Sequence, residues 1–131
     1  MYTIFVLAAL IALQLQTQRD ALVGTWEIKL TKDCRSQYQF HQNGTYKFVF
    51  LQSLRGVNFS GPCARDVGTY IVRDSVLVLA AQRSETYGFR SHKWASKIYS
   101  PPRRSQMKIA LKGDKLWIGN DQSKGPYTKV K

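Results

Sequence analysis

Apolar and polar residues alternate along most of the chain from residue 22 onward. In the segment that starts at Gly24, apolar Trp26, Ile28 and Leu30 are separated by single polar residues. The same period of two recurs later, in residues 45–51, in 107–112 and, with apolar residues on both faces, in 76–80. Successive side chains of a β-strand point to opposite faces, so this pattern predicts strands. No window keeps a helical apolar face, and no helix is expected after the N-terminal segment.

Turn signals divide the alternating pattern into eight or nine short strands. Asn43-Gly44 is a strong hairpin signal, and polar turns are also expected at residues 73–75 and 112–115. Strands at hairpin spacing in a chain of 131 residues predict one all-β domain, a small antiparallel up-and-down barrel over residues 19–131. Two segments break the alternation, 52–65 and 82–94 continuing through 100–105. Both are expected to be loops, with Pro101-Pro102 in an exposed basic turn.

The first 18 residues carry no charge and contain the apolar run from Ile4 to Leu13. Ten apolar residues are too few to cross a bilayer, which requires roughly 20. The run is typical of the apolar core of a secretory signal peptide, although no Lys or Arg precedes it. Residues 1–18 are therefore predicted to be a signal peptide and the protein to be secreted or periplasmic. An uncleaved anchor and a core segment are the alternatives.

Cys34 and Cys63 are the two cysteines of the chain. In an exported protein, two cysteines most simply form one disulfide, and that bond is the expectation here. The alternative is a pair of buried free thiols. Neither cysteine stands at a zinc-type spacing, so no metal is expected.

The chain is strongly basic, with a formal net charge of +12. Residues 83–131 hold twelve Lys or Arg against three Asp or Glu, whereas residues 1–82 hold eight against five. Such a field attracts acidic protein, anionic lipid, glycan or nucleic acid, and it equally serves solubility. Aromatic and cationic residues are interleaved in the same region, which predicts an anionic contact patch formed by Arg83, Arg90, Lys93, Trp94, Lys97, Arg103 and Arg104.

Short motifs occur in an order that resembles the lipocalin and calycin domains. They are Gly24-Thr25-Trp26, Tyr38-Gln39-Phe40, Asn43-Gly44-Thr45-Tyr46, Gly68-Thr69-Tyr70, Leu77-Val78-Leu79 and Lys115-Leu116-Trp117. The resemblance covers most of residues 22–130. It implies a barrel whose floor is closed by a plug of Gly24 and Trp26, and a small apolar ligand inside. Haem-binding relatives place Gly-x-Gly after the Trp, whereas Glu27 follows Trp26 here, so haem is not expected.

Aromatic residues of the predicted strands are the candidates for a ligand pocket. A pocket lined by Tyr hydroxyls on an apolar wall suits an amphipathic molecule. The predicted barrel-interior ligand residues are Tyr38, Phe40, Tyr46, Phe48 and Tyr70. The alternative is that the same side chains simply fill an aromatic core.

No residue set is typical of catalysis or of a cofactor site. His41 and His92 have no metal-like or catalytic spacing to other ligand residues, and no phosphate-binding glycine loop is present. Asn43 and Asn58 each begin a glycosylation sequon. The sequence favours a non-enzymatic, monomeric barrel without cofactor that binds a small, anionic amphipathic ligand. A basic module that docks on an acidic protein or the cell envelope, and a nucleic-acid-binding barrel, are the alternatives.

Overall fold

The computed structural model describes residues 8–10, 18–54, 59–119 and 125–130, and within them the chain is all-β apart from short helical turns. Alternating side chains place one face of every strand toward a common core, as the sequence predicts. The eight strands are β1 (Gly24–Thr31), β2 (Cys34–Phe40), β3 (Thr45–Leu54), β4 (Phe59–Arg73), β5 (Val76–Gly88), β6 (Lys93–Lys112), β7 (Lys115–Ile118) and β8 (Tyr127–Val130).

The strands form a closed antiparallel barrel in chain order, and β8 pairs with β1 to complete the ring. The predicted antiparallel barrel is thus confirmed at the level of architecture. The ring is uneven, because β3 to β6 are long and β7 and β8 have four residues each. Within the described ranges, β7 pairs with β6 only over Ile109–Lys112. In the described part of the chain, residues 93–107 of β6 therefore have β5 as their neighbour, and no second strand pairs with them.

One end of the barrel is closed by a short helix at residues 18–22, which sequence reasoning missed. Five residues are too few to display a helical apolar period, so the pattern could not reveal it. Leu22 is 1% exposed and packs with Trp26, which is fully buried. The Trp26 indole Nε1 donates a hydrogen bond to the Leu22 carbonyl oxygen at 2.8 Å. The last carbonyls of a helix have no partner inside it, so Trp26 caps this one.

Two glycines are required by the way neighbouring elements approach them. Gly24 has φ of +137°, a conformation that L-residues rarely adopt, at the point where the chain leaves the helix and enters β1. Gly68 lies at a bulge between β4 and β5, and a Cβ there would stand 2.0 Å from the Ala80 carbonyl oxygen. The close strand contact at this bulge therefore depends on a missing side chain.

The two predicted loops are largely strand, and that prediction is wrong. β3 continues to Leu54 and β4 begins at Phe59, while β5 continues to Gly88 and β6 begins at Lys93. Pro101 and Pro102 lie inside β6 at a register shift, where residues 99–102 have no ladder partner in β5. Proline is tolerated there because a bulge and an open edge need no ladder donor.

The cysteines are free thiols, so the expected Cys34–Cys63 disulfide is not formed. Cys34 on β2 faces Gln52 of β3. Cys63 lies in a bulge of β4, where its Sγ is 3.5 Å from the Phe50 carbonyl oxygen and 3.7 Å from Gln52 Oε1. Strand β3 therefore separates the two, and two strand spacings amount to about 9.5 Å. A disulfide requires Cα atoms roughly 4.4–6.8 Å apart.

Most of the predicted signal peptide, residues 1–18, lies outside the described residues, as does Asn58. Residues 8–10 are helical and exposed. None of the helical segments within the described ranges has the length and apolar content that a membrane crossing requires.

Candidate functional site

A cavity of about 210 Å³ lies inside the barrel between β2 and β6. The cavity lies in the half of the barrel interior that is away from the helix at residues 18–22. The cavity is open beside β6, because Ser105 is exposed and the Arg103 side chain is 56% exposed. Its lining combines aromatic, small and charged side chains: Tyr38, Tyr46, Phe48, Asp66, Leu79, Ala81, Arg103, Ser105 and Met107.

Aromatic rings form one wall of the cavity. Tyr38 and Phe48 are register partners on β2 and β3, and their ring centroids are 4.8 Å apart. The ring of Tyr127 on β8 contacts the Tyr38 ring edge-on, and their centroids are 5.5 Å apart. Edge and tilted contacts of this kind are the favoured geometry for aromatic pairs. The wall is therefore a packed surface with defined positions, onto which a flat apolar group can stack.

A carboxylate and a guanidinium face each other in the lining. Asp66 Oδ2 is 3.8 Å from Arg103 Nη2, and the two side chains are 30% and 56% exposed. The Arg103 guanidinium also lies 4.9 Å above the ring of Tyr99, which holds it over the cavity by a cation–π contact. Asp66 comes from β4 and Arg103 from β6, so β5 and its small Ala81 lie between them.

The tyrosine hydroxyls of the cavity are kept protonated. Burial is the main cause that raises the pKa of Tyr46 to about 12, and the negative charge of Asp66 adds to it. Burial also raises the pKa of Tyr38 strongly, with smaller contributions from Tyr127, Tyr46 and Asp66. Both groups are therefore hydroxyl donors and acceptors at any physiological pH.

The structure divides the predicted interior residues into two sets. Tyr38, Tyr46 and Phe48 line the cavity. Phe40 and Tyr70 are 1% and 3% exposed and belong to the filled, closed end. The Tyr70 hydroxyl donates to the His41 carbonyl oxygen at 2.8 Å, so it is already used as a structural bond. Those two residues are core rather than cavity lining.

The predicted anionic contact patch lies on the β5–β6 hairpin but does not form one continuous surface. Arg103 lines the cavity, whereas the adjacent Arg104 is exposed and pairs with Ala80. Arg83 makes an ion pair with Glu85, with Nε and Oε1 3.5 Å apart. The remaining members lie toward the tip of the hairpin, and they are Arg90, Lys93, Trp94 and Lys97.

Trp94 is part of an aromatic cluster at that tip and is covered by Arg65. The Arg65 guanidinium stands 3.9 Å from the Trp94 ring centroid and also bonds Glu85 at 3.3 Å. The other rings of the cluster, Phe59, Tyr87 and Phe89, contact one another at centroid distances of 5.0–5.6 Å. One face of Trp94 is therefore occupied by an internal cation, and base stacking on that face would require Arg65 to leave.

A larger groove of about 480 Å³ runs outside the barrel beside the β1–β2 turn. Its one partly buried carboxylate, Glu27, accepts hydrogen bonds from Arg35 and Gln37, both at 3.1 Å. These groups satisfy one another, and the charged side chains that remain in the lining, Lys29, Lys32 and Asp33, are exposed. The smaller interior cavity is the better candidate.

Within the described ranges, no three His, Cys, Asp or Glu side chains are grouped as metal ligands. His92 contacts the Tyr87 hydroxyl through Nδ1 at 3.4 Å, and His41 is exposed at a turn. The Asn43 side chain accepts hydrogen bonds from both the amide and the hydroxyl of Thr45 and so stabilises the β2–β3 turn. Comparison of the chain with protein-family models, curated proteins and solved structures found no match.

Five cavity residues were not predicted as site residues: Asp66, Leu79, Ala81, Ser105 and Met107. Asp66 shares the inward parity of buried Gly68 and Tyr70 on β4, so a charged residue at an inward position was the available signal. Met107 and Arg103 likewise share one parity on β6. The pairing of Asp66 with Arg103 depends on the alignment of β4, β5 and β6, which the sequence pattern does not fix.

Proposed function

We propose that the protein is a non-enzymatic, lipocalin-like barrel that binds a small amphipathic molecule in its interior cavity. The observation that carries this proposal is the composition of the cavity. An aromatic wall of Tyr38 and Phe48 adjoins a polar rim that contains Asp66 and Arg103. Cavities that bind small molecules combine a largely apolar lining with a few placed polar groups, and this one does so at the open half of the barrel.

The size of the cavity limits the ligand. About 210 Å³ equals the volume of about seven liquid waters at about 30 Å³ each. Sites for drug-sized ligands are larger, roughly 300–1,000 Å³. A compact molecule with one ring and a short polar arm fits, whereas the whole of a long-chain fatty acid does not. The cavity volume therefore restricts the amphipathic ligand that the sequence predicts to compact molecules.

Apolar burial supplies affinity in the proposed complex, and polar contacts orient the ligand. Removing an aromatic ring from water stabilises the complex in proportion to the apolar area covered, and salt does not screen that contribution. The protonated hydroxyls of Tyr38 and Tyr46 can donate to a polar arm, and Arg103 at the rim can meet its charge. Export through residues 1–18 belongs to the same proposal and would place the barrel in a secreted or periplasmic setting.

A titration of the ¹⁵N-labelled full chain with 3-phenyl-1-propanol, a neutral probe of suitable size, tests the proposal. We expect saturable amide shifts at Phe48, Ser105 and Met107 that persist at high salt. Ser105→Phe places a ring in the mouth of the cavity and should weaken binding at least tenfold. Gln106→Phe adds the same ring at the next position, which does not line the cavity, and should leave binding unchanged. Equal binding by the two variants, or shifts that never saturate, would contradict the proposal.

A second candidate function is docking of the basic β5–β6 hairpin on an acidic protein. The observation that favours it is Ile98, which is 76% exposed beside the exposed Lys97. A basic hairpin attracts acidic surfaces, and Ile98 would add apolar area to such a contact. Binding of an acidic partner should fall steeply with salt and respond to Ile98→Ser. Cavity binding should respond to neither.

A further inference from the structure

We propose that the ligand is dipolar, with a cationic and an anionic group on one small aromatic body, and that Asp66 determines this specificity. The inference rests on the proposed function and goes beyond it. Arg103 alone would select an anion, as the sequence suggested. The structure adds a carboxylate to the same cavity, 3.8 Å from the guanidinium, and a purely anionic ligand would have to approach both.

The Asp66–Arg103 contact leaves bonding capacity on both groups. Charge-assisted N–H···O bonds are typically about 2.7–2.9 Å long, and this pair is about 1 Å longer. A carboxylate accepts up to about four hydrogen bonds and a guanidinium donates five. In the described part of the chain, Arg103 is the ion-pair partner of Asp66. Each group can therefore receive a ligand atom without a buried bond being broken.

The electrostatics favour a ligand with both charges. A unit charge near both side chains is attracted by one and repelled by the other, and at comparable distances the two effects nearly cancel. A dipolar head group aligned antiparallel to the pair gains both attractions. Its cationic group near Asp66 would also lie close to the faces of Tyr38 and Phe48, which attract cations.

Nearby polar atoms agree with a charged group at this position. Both charges of the pair act on the Tyr46 hydroxyl, because Asp66 raises its pKa and Arg103 lowers it. Directly across the β4–β5 ladder from Asp66, the buried Ser84 Oγ has no hydrogen-bond partner among the described residues. Small Ala81 on β5 leaves space between the strands that carry Asp66 and Arg103.

Four probes with one phenyl ring and a short chain separate the alternatives at neutral pH. They are L-phenylalanine, 3-phenylpropionate, 2-phenylethylamine and 3-phenyl-1-propanol, which are dipolar, anionic, cationic and neutral. With the full chain, we expect L-phenylalanine to bind at least tenfold more tightly than either singly charged probe. Asp66→Asn should make the anion the tightest ligand, and Arg103→Gln should make the cation the tightest.

Two matched controls make the same charge changes outside the cavity. Asp74→Asn alters the exposed β4–β5 turn, and Arg104→Gln alters the exposed neighbour of Arg103; neither should change the order of affinities. Thermal unfolding of each variant verifies that it is folded. If the neutral probe binds and Ser105→Phe blocks it, but L-phenylalanine binds no more tightly than 3-phenylpropionate, the dipolar inference is overturned and the proposed function stands. If none of the four probes binds, both are overturned.

Discussion

Replacing Trp26 with phenylalanine should destabilise the barrel more than the same replacement at Trp117. Trp26 is fully buried and its indole Nε1 donates to the Leu22 carbonyl oxygen at 2.8 Å. Phenylalanine keeps most of the apolar volume and removes this donor. Leu22 ends the helix and is 1% exposed. Its carbonyl oxygen would then lose its side-chain partner.

The expected magnitude has two parts. A buried carbonyl left without its partner costs about 1–3 kcal/mol. The smaller ring leaves a void of about 40 Å³, which at about 24 cal/mol per Å³ adds about 1 kcal/mol. The free energy of unfolding should therefore fall by about 2–4 kcal/mol. For a domain of this size, that corresponds to a decrease in Tm of about 8–16 °C.

Urea unfolding followed by far-ultraviolet circular dichroism measures the change, with Trp117→Phe as the matched control. Trp117 is a half-buried residue of β7, paired with Ala110, and its indole has no hydrogen bond among those that the structure shows. Its replacement should cost less than about 1 kcal/mol. A loss below about 1 kcal/mol for Trp26→Phe, or an equal loss in the two variants, would refute the capping role of Trp26.

Three further outcomes are expected. Gly68→Ala should cost about 3 kcal/mol in urea unfolding because its Cβ would overlap the Ala80 carbonyl oxygen, whereas Gly113→Ala, whose Cβ meets open space at a φ of +60°, should cost about 1–2 kcal/mol. The free energy of unfolding should decline between pH 10 and pH 12, because Tyr46 stays protonated in the folded chain up to about 12 while the unfolded chain ionises from about 10. Tyr46→Phe should reduce that decline, and a pH profile that the variant leaves unchanged would contradict the prediction. Thiol titration of the native protein should find two free thiols, with half-buried Cys34 reacting before Cys63, whose pKa burial raises; a disulfide in the purified protein would refute this.

Local pattern was sufficient to predict the strands outside the two predicted loops, and the antiparallel architecture. The alternation of side chains and the Asn43-Gly44 turn depend on neighbouring residues, and these are the features that the structure confirms. Trp26 was predicted to close the barrel, and the structure places it in the core of the closed end. The short helix beside it was missed because its helical form depends on docking of Leu22 rather than on a repeating pattern.

The interpretation of the loops failed for a related reason. Residues 82–94 and 100–105 carry many charges and prolines, which are typical of loops in isolation. They are strand here because the long β5–β6 hairpin supplies ladder bonds on one side, and because an open edge tolerates proline and lysine. How many strands pair with a given segment is decided by the arrangement of all eight strands in the barrel, and local sequence does not show it.

The sequence by itself determined the strands whose side chains alternate, which face of those strands is inward, and that residues 83–131 are basic, because these properties follow from the order of neighbours. Only the tertiary structure decided that Phe40 fills the core while Phe48 lines a cavity, that β3 separates the two cysteines, and that Asp66 meets Arg103. Those outcomes depend on the register between strands. Bulges at Cys63 and between Ala81 and Arg83 shift that register, and a pattern of period two carries no information about it.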